Sequence, residues 1–173
     1  DRITDRLFET ARRHPERTLI ARRVDGSDWR RVSYGEAAKL VVDIAGNLAR
    51  HDLGPERPIV ILSGSSIEHA LLSFAALHAC IPCASVTPAY SLLSPDLAKL
   101  KHVIRLLTPG LVFAQDATQF ARALDGAVPD DAEIVTVTGL ASRPATPFAD
   151  LLDPTTAVAD GLGHAAPDDV AKF

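Results

Sequence analysis

The chain has 173 residues, 47% of them apolar, and 18 Lys and Arg against 22 Asp and Glu give a net charge of −4. Such apolar content argues against a disordered segment and for one domain with a real core, in which about 70% of the unfolded surface would be buried. The acidic balance leaves no broad basic field of the kind that non-specific nucleic-acid binding uses, and no apolar run approaches the roughly 20 residues of a membrane-spanning helix.

The first residues, DRITDRLFETARRHPER, are charged and lack the apolar stretch of a secretion signal, so a cytoplasmic protein is expected. No Met occurs, and the chain stops at Phe173 just after Asp169, Val170 and Ala171 begin to look like a strand. A segment of a longer protein is expected. Thr4 is placed to cap a first helix running to about His14. Thr18 to Val24 and Trp29 to Val32 then suit two strands around the turn dipeptide Asp25-Gly26. Ser33 and Glu36 have the spacing of a capping box, and Ala37, Val41, Ile44, Ala45 and Leu48 recur on one side of a helix over residues 34 to 51, ending near Gly54-Pro55.

Pro58 to Ser94 holds the clearest architecture. Ile59, Val60, Ile61 and Leu62 form a short strand apolar on both faces. Ser65 and Glu68 suggest a second capping box, opening a helix whose stripe is Ile67, Ala70, Leu71, Phe74 and His78. Pro82 ends that helix, Cys83 to Val86 is the next strand, and a Pro-bearing loop follows. Ser94-Pro95 has the cap-then-Pro order of a further helix, with Leu97, Leu100, Ile104 and Leu107 on one face and Lys99, Lys101, His102 and Arg105 on the other. Leu111 to Ala114 suits a strand, 116 to 125 a helix and Glu133 to Val137 a strand, while Thr146-Pro147 caps a short helix through Leu152. Asp153 to Asp169 lacks periodicity and is expected to be an irregular connection. Strands alternating with helices imply an α/β fold, a mostly parallel sheet with helices on both faces.

Few residues suggest chemistry. Cys80-Ile81-Pro82-Cys83 has dithiol spacing, but it ends a helix and enters a strand, whereas a reactive pair sits at a helix N-terminus, so both are read as packing thiols. Ser63-Gly64-Ser65-Ser66 lies where backbone N–H groups hold phosphates, yet no Lys follows, and a capped turn is the plainer reading. The six His, at 14, 51, 69, 78, 102 and 164, show no metal-binding spacing; His78 is read as a hydrogen-bonded core residue and the others as solvated surface. Tyr90-Ser91 sits after a strand, where α/β sheets place ligands, and the basic face at 99 to 105 is read as solvated. No catalytic, cofactor-binding or metal-ligating residue is assigned.

Trp29-Arg30-Arg31-Val32-Ser33-Tyr34-Gly35-Glu36 resembles a segment near the start of adenylate-forming enzymes, the superfamily of acyl-CoA synthetases, luciferases and peptide-synthetase adenylation domains. Leu77 to Pro88 resembles that superfamily's second core segment, whose usual form has Gly where Cys80 stands. Pro88 to Ser94, with Leu106 to Ala114, is similar to feruloyl-CoA synthases and related aryl-CoA ligases. The resemblance implies the N-terminal part of an AMP-binding domain over 1–173, cut before the loop that holds the ATP phosphates. It implies a parent enzyme that joins an aromatic or other carboxylic acid to ATP and then to CoA, with Mg²⁺. The segment itself would be an inactive scaffold that partners the remainder of its own polypeptide. The alternatives are a self-contained flavodoxin-like module using the Ser63–Ser66 turn for a nucleotide or flavin phosphate, and a purely structural domain.

Overall fold

The run Ile59, Val60, Ile61 and Leu62 is fully buried at every position, as a strand covered on both faces must be. The computed structural model describes residues 3–24, 26, 28–155, 166 and 169–173. In chain order these form α1 (Ile3–Arg13), β1 (Thr18–Val24), β2 (Asp28–Ser33), α2 (Tyr34–Leu48), β3 (Ile59–Ile61), α3 (Ile67–His78), β4 (Cys83–Ser85), α4 (Pro88–Leu92) and α5 (Ala98–Leu107). Then come β5 (Leu111–Asp116), α6 (Ala117–Ala127), β6 (Glu133–Thr138), β7 (Thr146–Pro147) and a 3-10 turn (Phe148–Leu152).

β1 and β2 form an antiparallel hairpin, and the other five strands form a parallel sheet in the order β4-β3-β5-β6-β7. Ile59 stands opposite Cys83 on one side and Leu111 on the other. The chain therefore leaves β3 for one neighbour and returns to its other side, so the winding reverses there. Alternation along β3 divides the core. Ile59 and Ile61 join Val41, Ile44, Leu48, Leu71 and Phe113 under α2 and α3, where the Phe113 and Phe148 rings meet edge to face at 5.6 Å. Val60 and Leu62 join Leu100, Ile104, Phe120 and Leu124 under α5 and α6. The α/β class and the helices on both faces stand as expected. Among the described residues no helix is long and apolar enough to cross a membrane.

The stripe expected on α2 is wholly buried, and Ser33 caps that helix by accepting from the Glu36 N–H at 3.2 Å. Five local expectations need correction. Thr4 lies inside α1, where it is buried, rather than capping it. The cap of α3 is Ser66, one residue later than expected, and the helix is rotated so that Leu72, Ala75 and Ala76 are buried while Ala70, Phe74 and His78 are half-buried. The loop expected after β4 contains α4, for which Pro88 occupies the first turn, where its missing N–H costs nothing. Ser94-Pro95 does not cap α5; Asp96 accepts from the Ala98 N–H at 3.0 Å, and Leu97 takes a left-handed conformation before the helix begins. Thr146-Pro147 pairs with β6 as a strand, and the following turn is 3-10.

Asp169 to Ala171, expected to begin a strand, form none; the next residue, Lys172, makes a short parallel bridge to Cys83 on the outer edge of β4, with Cys83 donating to the Ala171 carbonyl and Phe173 donating to the Cys83 carbonyl. The irregular connection expected after Asp153 lies mostly outside the described residues.

Cys80 sits in the left-handed region at φ 58°. There Ile81 donates to the Ala76 carbonyl and Cys80 to the Leu77 carbonyl, the paired bonds that close a helix with a left-handed residue. Glycine adopts this conformation without the Cβ clash, so Cys80→Gly should stabilise the chain by about 1 kcal/mol. Urea unfolding measures it, and an unchanged or lower midpoint would contradict the assignment.

Candidate functional site at the carboxyl ends of the strands

In an open parallel sheet, ligands gather beyond the carboxyl ends of the strands where the winding reverses. Here that place is the crevice between the turn after β3 and the end of β5. Ser66 Oγ accepts from the His69 N–H at 3.0 Å. The His69 ring then spans two strand ends, with Nδ1 3.1 Å from the Gly64 carbonyl and Nε2 3.1 Å from Ser85 Oγ. A carbonyl only accepts, so Nδ1 carries a proton and donates to Gly64, while Nε2 stands within hydrogen-bond distance of the Ser85 hydroxyl.

Glu68, in the first turn of α3, is the centre of the site. Its side chain is 8% exposed, and Oε1 accepts from Arg30 Nη1 of β2 at 2.7 Å. Oε2 accepts from Gln115 Nε2 of β5 at 3.2 Å. Burial pushes the Glu68 pKa up, but its own backbone N–H, Arg30 and Gln115 together outweigh burial and hold it below the ordinary 4.5. An ionised carboxylate with both oxygens engaged is a tether between hairpin, helix and sheet, and it is poorly placed to take up a proton. Ser63 Oγ, in the turn after β3, and the Oε1 of that same Gln115 are buried without a hydrogen-bond partner among the described residues. Gly139, after β6, has φ 81°, and a Cβ there would lie 2.6 Å from the Thr118 nitrogen at the start of α6. Only glycine lets that chain pass so close.

A groove of about 290 Å³ opens here, lined by Arg22, Arg23, Arg30, Glu68, Gln115 and Val137 among others. A larger groove of about 650 Å³ lies elsewhere, at the entry to β5 and β6, where Arg57 donates to Asp131 at 2.9 Å. It is remote from the reversal point.

The residues singled out from sequence are dispersed. Cys80 and Cys83 form no disulfide; burial raises the Cys83 thiol above its ordinary range, against the lesser influences of Lys172 and Ser73, as befits a packing thiol. Tyr90 and Ser91 lie on α4, with Lys99 Nζ 5.4 Å from the Tyr90 ring centre. Lys101, His102 and Arg105 are exposed, as read from the sequence. His78 is half-buried, with its ring 4.9 Å from that of Phe8. His14 is exposed, and His164 lies outside the described residues.

Two histidines read as solvated surface are not. His69 bridges the strand ends, and His51 Nδ1 is 2.6 Å from Glu133 Oε2, whose other oxygen accepts from Thr146 at 2.6 Å. Among the described residues no three His, Cys, Asp or Glu come together as a metal site. Arg30 and Gln115 escaped the sequence reading because they stand 38 and 47 residues from Glu68, and no local pattern links them.

Because the folded pKa of Glu68 is depressed, its contribution is present above about 4.5 and is lost as pH falls through the folded value. Glu68→Gln should therefore cost about 1–3 kcal/mol at pH 7, with the gap to the native chain narrowing below pH ~4.5. Urea unfolding at several pH values measures this; a gap constant with pH would contradict it.

The sequence profile described as AMP-binding enzyme matches residues 7–172. No curated protein sequence matches the chain. Among solved structures, it resembles a Rhodopseudomonas palustris protein provisionally assigned as a long-chain-fatty-acid CoA ligase, with TM-score 0.70 and 21% identity, covering 94% of this chain and 38% of that one. It also resembles the luciferase-like enzyme of the nonluminescent mealworm Zophobas morio, with TM-score 0.70 and 19% identity over 99% of this chain and 39% of that one. A third likeness is to the fatty acyl-adenylate ligase of L. pneumophila, solved with acyl adenylate and pyrophosphate, with TM-score 0.67 and 12% identity over 98% of this chain and 27% of that one. The chain thus spans well under half of each of these proteins, and at such identities the likeness speaks for the fold alone. The match over residues 7–172, on a fold shared with adenylate-forming ligases, places the chain in the AMP-binding enzyme family.

Proposed function

We propose that this chain is the N-terminal scaffold of an acid–CoA ligase. The whole enzyme joins a carboxylic acid to ATP, releases pyrophosphate, and passes the acyl group of the acyl-adenylate to the CoA thiol. Adenylation serves that transfer because a carboxylate oxygen leaves poorly and AMP leaves well. The observation that carries the reading is the family match over residues 7–172. The preferred acid is a hydroxycinnamate such as ferulate, with benzoates and medium-chain acids behind it. That choice is supported by the likeness of Pro88 to Ser94 and Leu106 to Ala114 to aryl-CoA ligases.

The residues of this chain do not fit a complete ATP or Mg²⁺ site. No Lys or Arg stands between Arg57 and Lys99, so the Ser63–Ser66 turn has no cation of its own for a triphosphate. Ser66 is spent on capping α3, and the Gly64 carbonyl on His69. No step of the reaction is therefore assigned to residues of this segment. ATP, Mg²⁺, CoA and the acid are held by the remainder of the polypeptide.

Carboxylate-dependent ATP–pyrophosphate exchange tests the proposal. The complete polypeptide carrying this segment should exchange with ferulate and, given CoA, form the thioester, while the 173-residue chain should do neither. Exchange by the isolated chain at the full-length rate would overturn the scaffold role. Calorimetry gives a second arm, since stoichiometric binding of ATP or FMN by the isolated chain would favour the self-contained module instead.

A further inference from the structure

Ser85 is the last residue of β4 and is exposed, although Cys83 and Ala84 before it are buried. Its Oγ lies 3.1 Å from His69 Nε2, across 16 residues of sequence. The imidazole is held from behind, because Nδ1–H donates to the Gly64 carbonyl at 3.1 Å and Ser66 Oγ accepts from the His69 backbone N–H at 3.0 Å. With its proton on Nδ1, the neutral ring presents the lone pair of Nε2 to the Ser85 hydroxyl. A hydroxyl, a base that reaches it and a third group that orients the base are the parts of an activated nucleophile.

A groove of about 310 Å³ opens beside His69 along α3, walled by His69, Ala70, Ser73, Phe74 and Leu77 among others. These positions recur at three- and four-residue spacing, so they form one stripe of the helix. The groove is small for a ligand site and its far end is apolar, which suits the acyl part of a short ester. The backbone of Ser85 adds a donor. N–H groups alternate in direction along a strand, and Val86 uses its own on the Ile61 carbonyl of β3, so that of Ser85 turns with that of Cys83 to the outer edge. There Cys83 donates to Ala171, while no backbone carbonyl among the described residues accepts from Ser85. A nucleophile's own N–H can donate to the oxyanion that its attack creates.

We propose that Ser85, His69 and the Gly64 carbonyl hydrolyse short-chain carboxylic esters, with the acyl chain in the groove beside α3. Ser85 Oγ attacks the ester carbonyl carbon as His69 Nε2 takes the hydroxyl proton. The bond to the alcohol oxygen breaks as that proton passes to it, and the acyl group is left on Ser85. Water then attacks the acyl carbon, His69 takes a proton from it and returns that proton to Ser85 Oγ, and the carboxylic acid leaves. One ester and one water give one acid and one alcohol, with no further reactant. The activity is independent of the proposed ligase reaction, since it uses neither ATP nor CoA.

Hydrolysis of p-nitrophenyl butyrate by the chain, without ATP or CoA, tests this. Release of nitrophenolate should be saturable. Its kcat/KM should fall at least about tenfold in Ser85→Ala and in His69→Gln, and stay unchanged in His102→Gln, an exposed histidine of α5. An exposed imidazole cleaves such activated esters unaided, so equal rates in Ser85→Ala and the native chain overturn the proposal. p-Nitrophenyl acetate, with a shorter acyl chain, should be turned over several-fold less efficiently, because less apolar surface reaches the groove; equal efficiency overturns the assignment of the groove. A second readout needs no variant to fold. The native chain treated with an alkyl fluorophosphonate should gain the phosphonyl group on Ser85 with loss of fluoride, located by peptide mass spectrometry. Labelling at another serine, or none, overturns the proposal.

Discussion

Burying a strand on both faces is the constraint from which the rest of this structure follows. β3 is three residues long, yet it contributes to both cores, because successive side chains leave a strand on opposite sides. Each face must be covered by helices, and each backbone group must find a partner within the sheet. A parallel sheet meets both demands through helical crossovers, and the one that leaves β3 and the one that returns to its other side open the crevice at its carboxyl end. The location of the candidate site is thus a consequence of packing around one short apolar run.

Elements outside the sheet are held by polar side chains reaching long distances in sequence. Glu68 fixes the hairpin to α3 and β5. Asn47, buried near the end of α2, donates to the carbonyls of Leu151 and Asp153 at 3.0 and 2.9 Å, tying down the 3-10 turn. Arg143 donates to the carbonyls of Val128 and Pro129 at 2.9 and 2.8 Å, closing the loop before β6 against the loop after it. In each case the side chain satisfies backbone or carboxylate groups that have no ladder partner, and leaving such groups buried and unpaired costs about 1–3 kcal/mol apiece. These bonds act beside apolar contacts, as in the 3-10 turn, where Phe148 and Leu151 are buried in the core.

Much of this was legible in the sequence, and the failures have physical causes. The apolar face of α2 and the strand at Ile59 to Leu62 follow from periodicity, since each buries a contiguous face. The cap of α3 was misplaced by one residue because Ser65 and Ser66 are chemically equivalent candidates, and only the chain's path chooses between them. Glu68 drew notice as a capping residue, but its role depends on Arg30 and Gln115, which meet it through tertiary folding. Pro88 reads from sequence as part of a loop, although at a helix start its fixed φ favours the turn. The family resemblance rested on Trp29 to Glu36 and Leu77 to Pro88, and the family match bears it out. The subgroup of aryl-CoA ligases is a finer distinction, carried by the proposal.

If β3 is the element on which both layers depend, it must be the last to open. Native-state hydrogen exchange followed residue by residue tests this directly. The amides of Ile59 and Leu62, which donate to the Pro82 and Phe113 carbonyls at 2.9 Å, should exchange only with the free energy of global unfolding. The hairpin amides, outside the sheet, should exchange through a cheaper local opening. Exchange at Ile59 and Leu62 at a free energy below that of the hairpin would contradict the account.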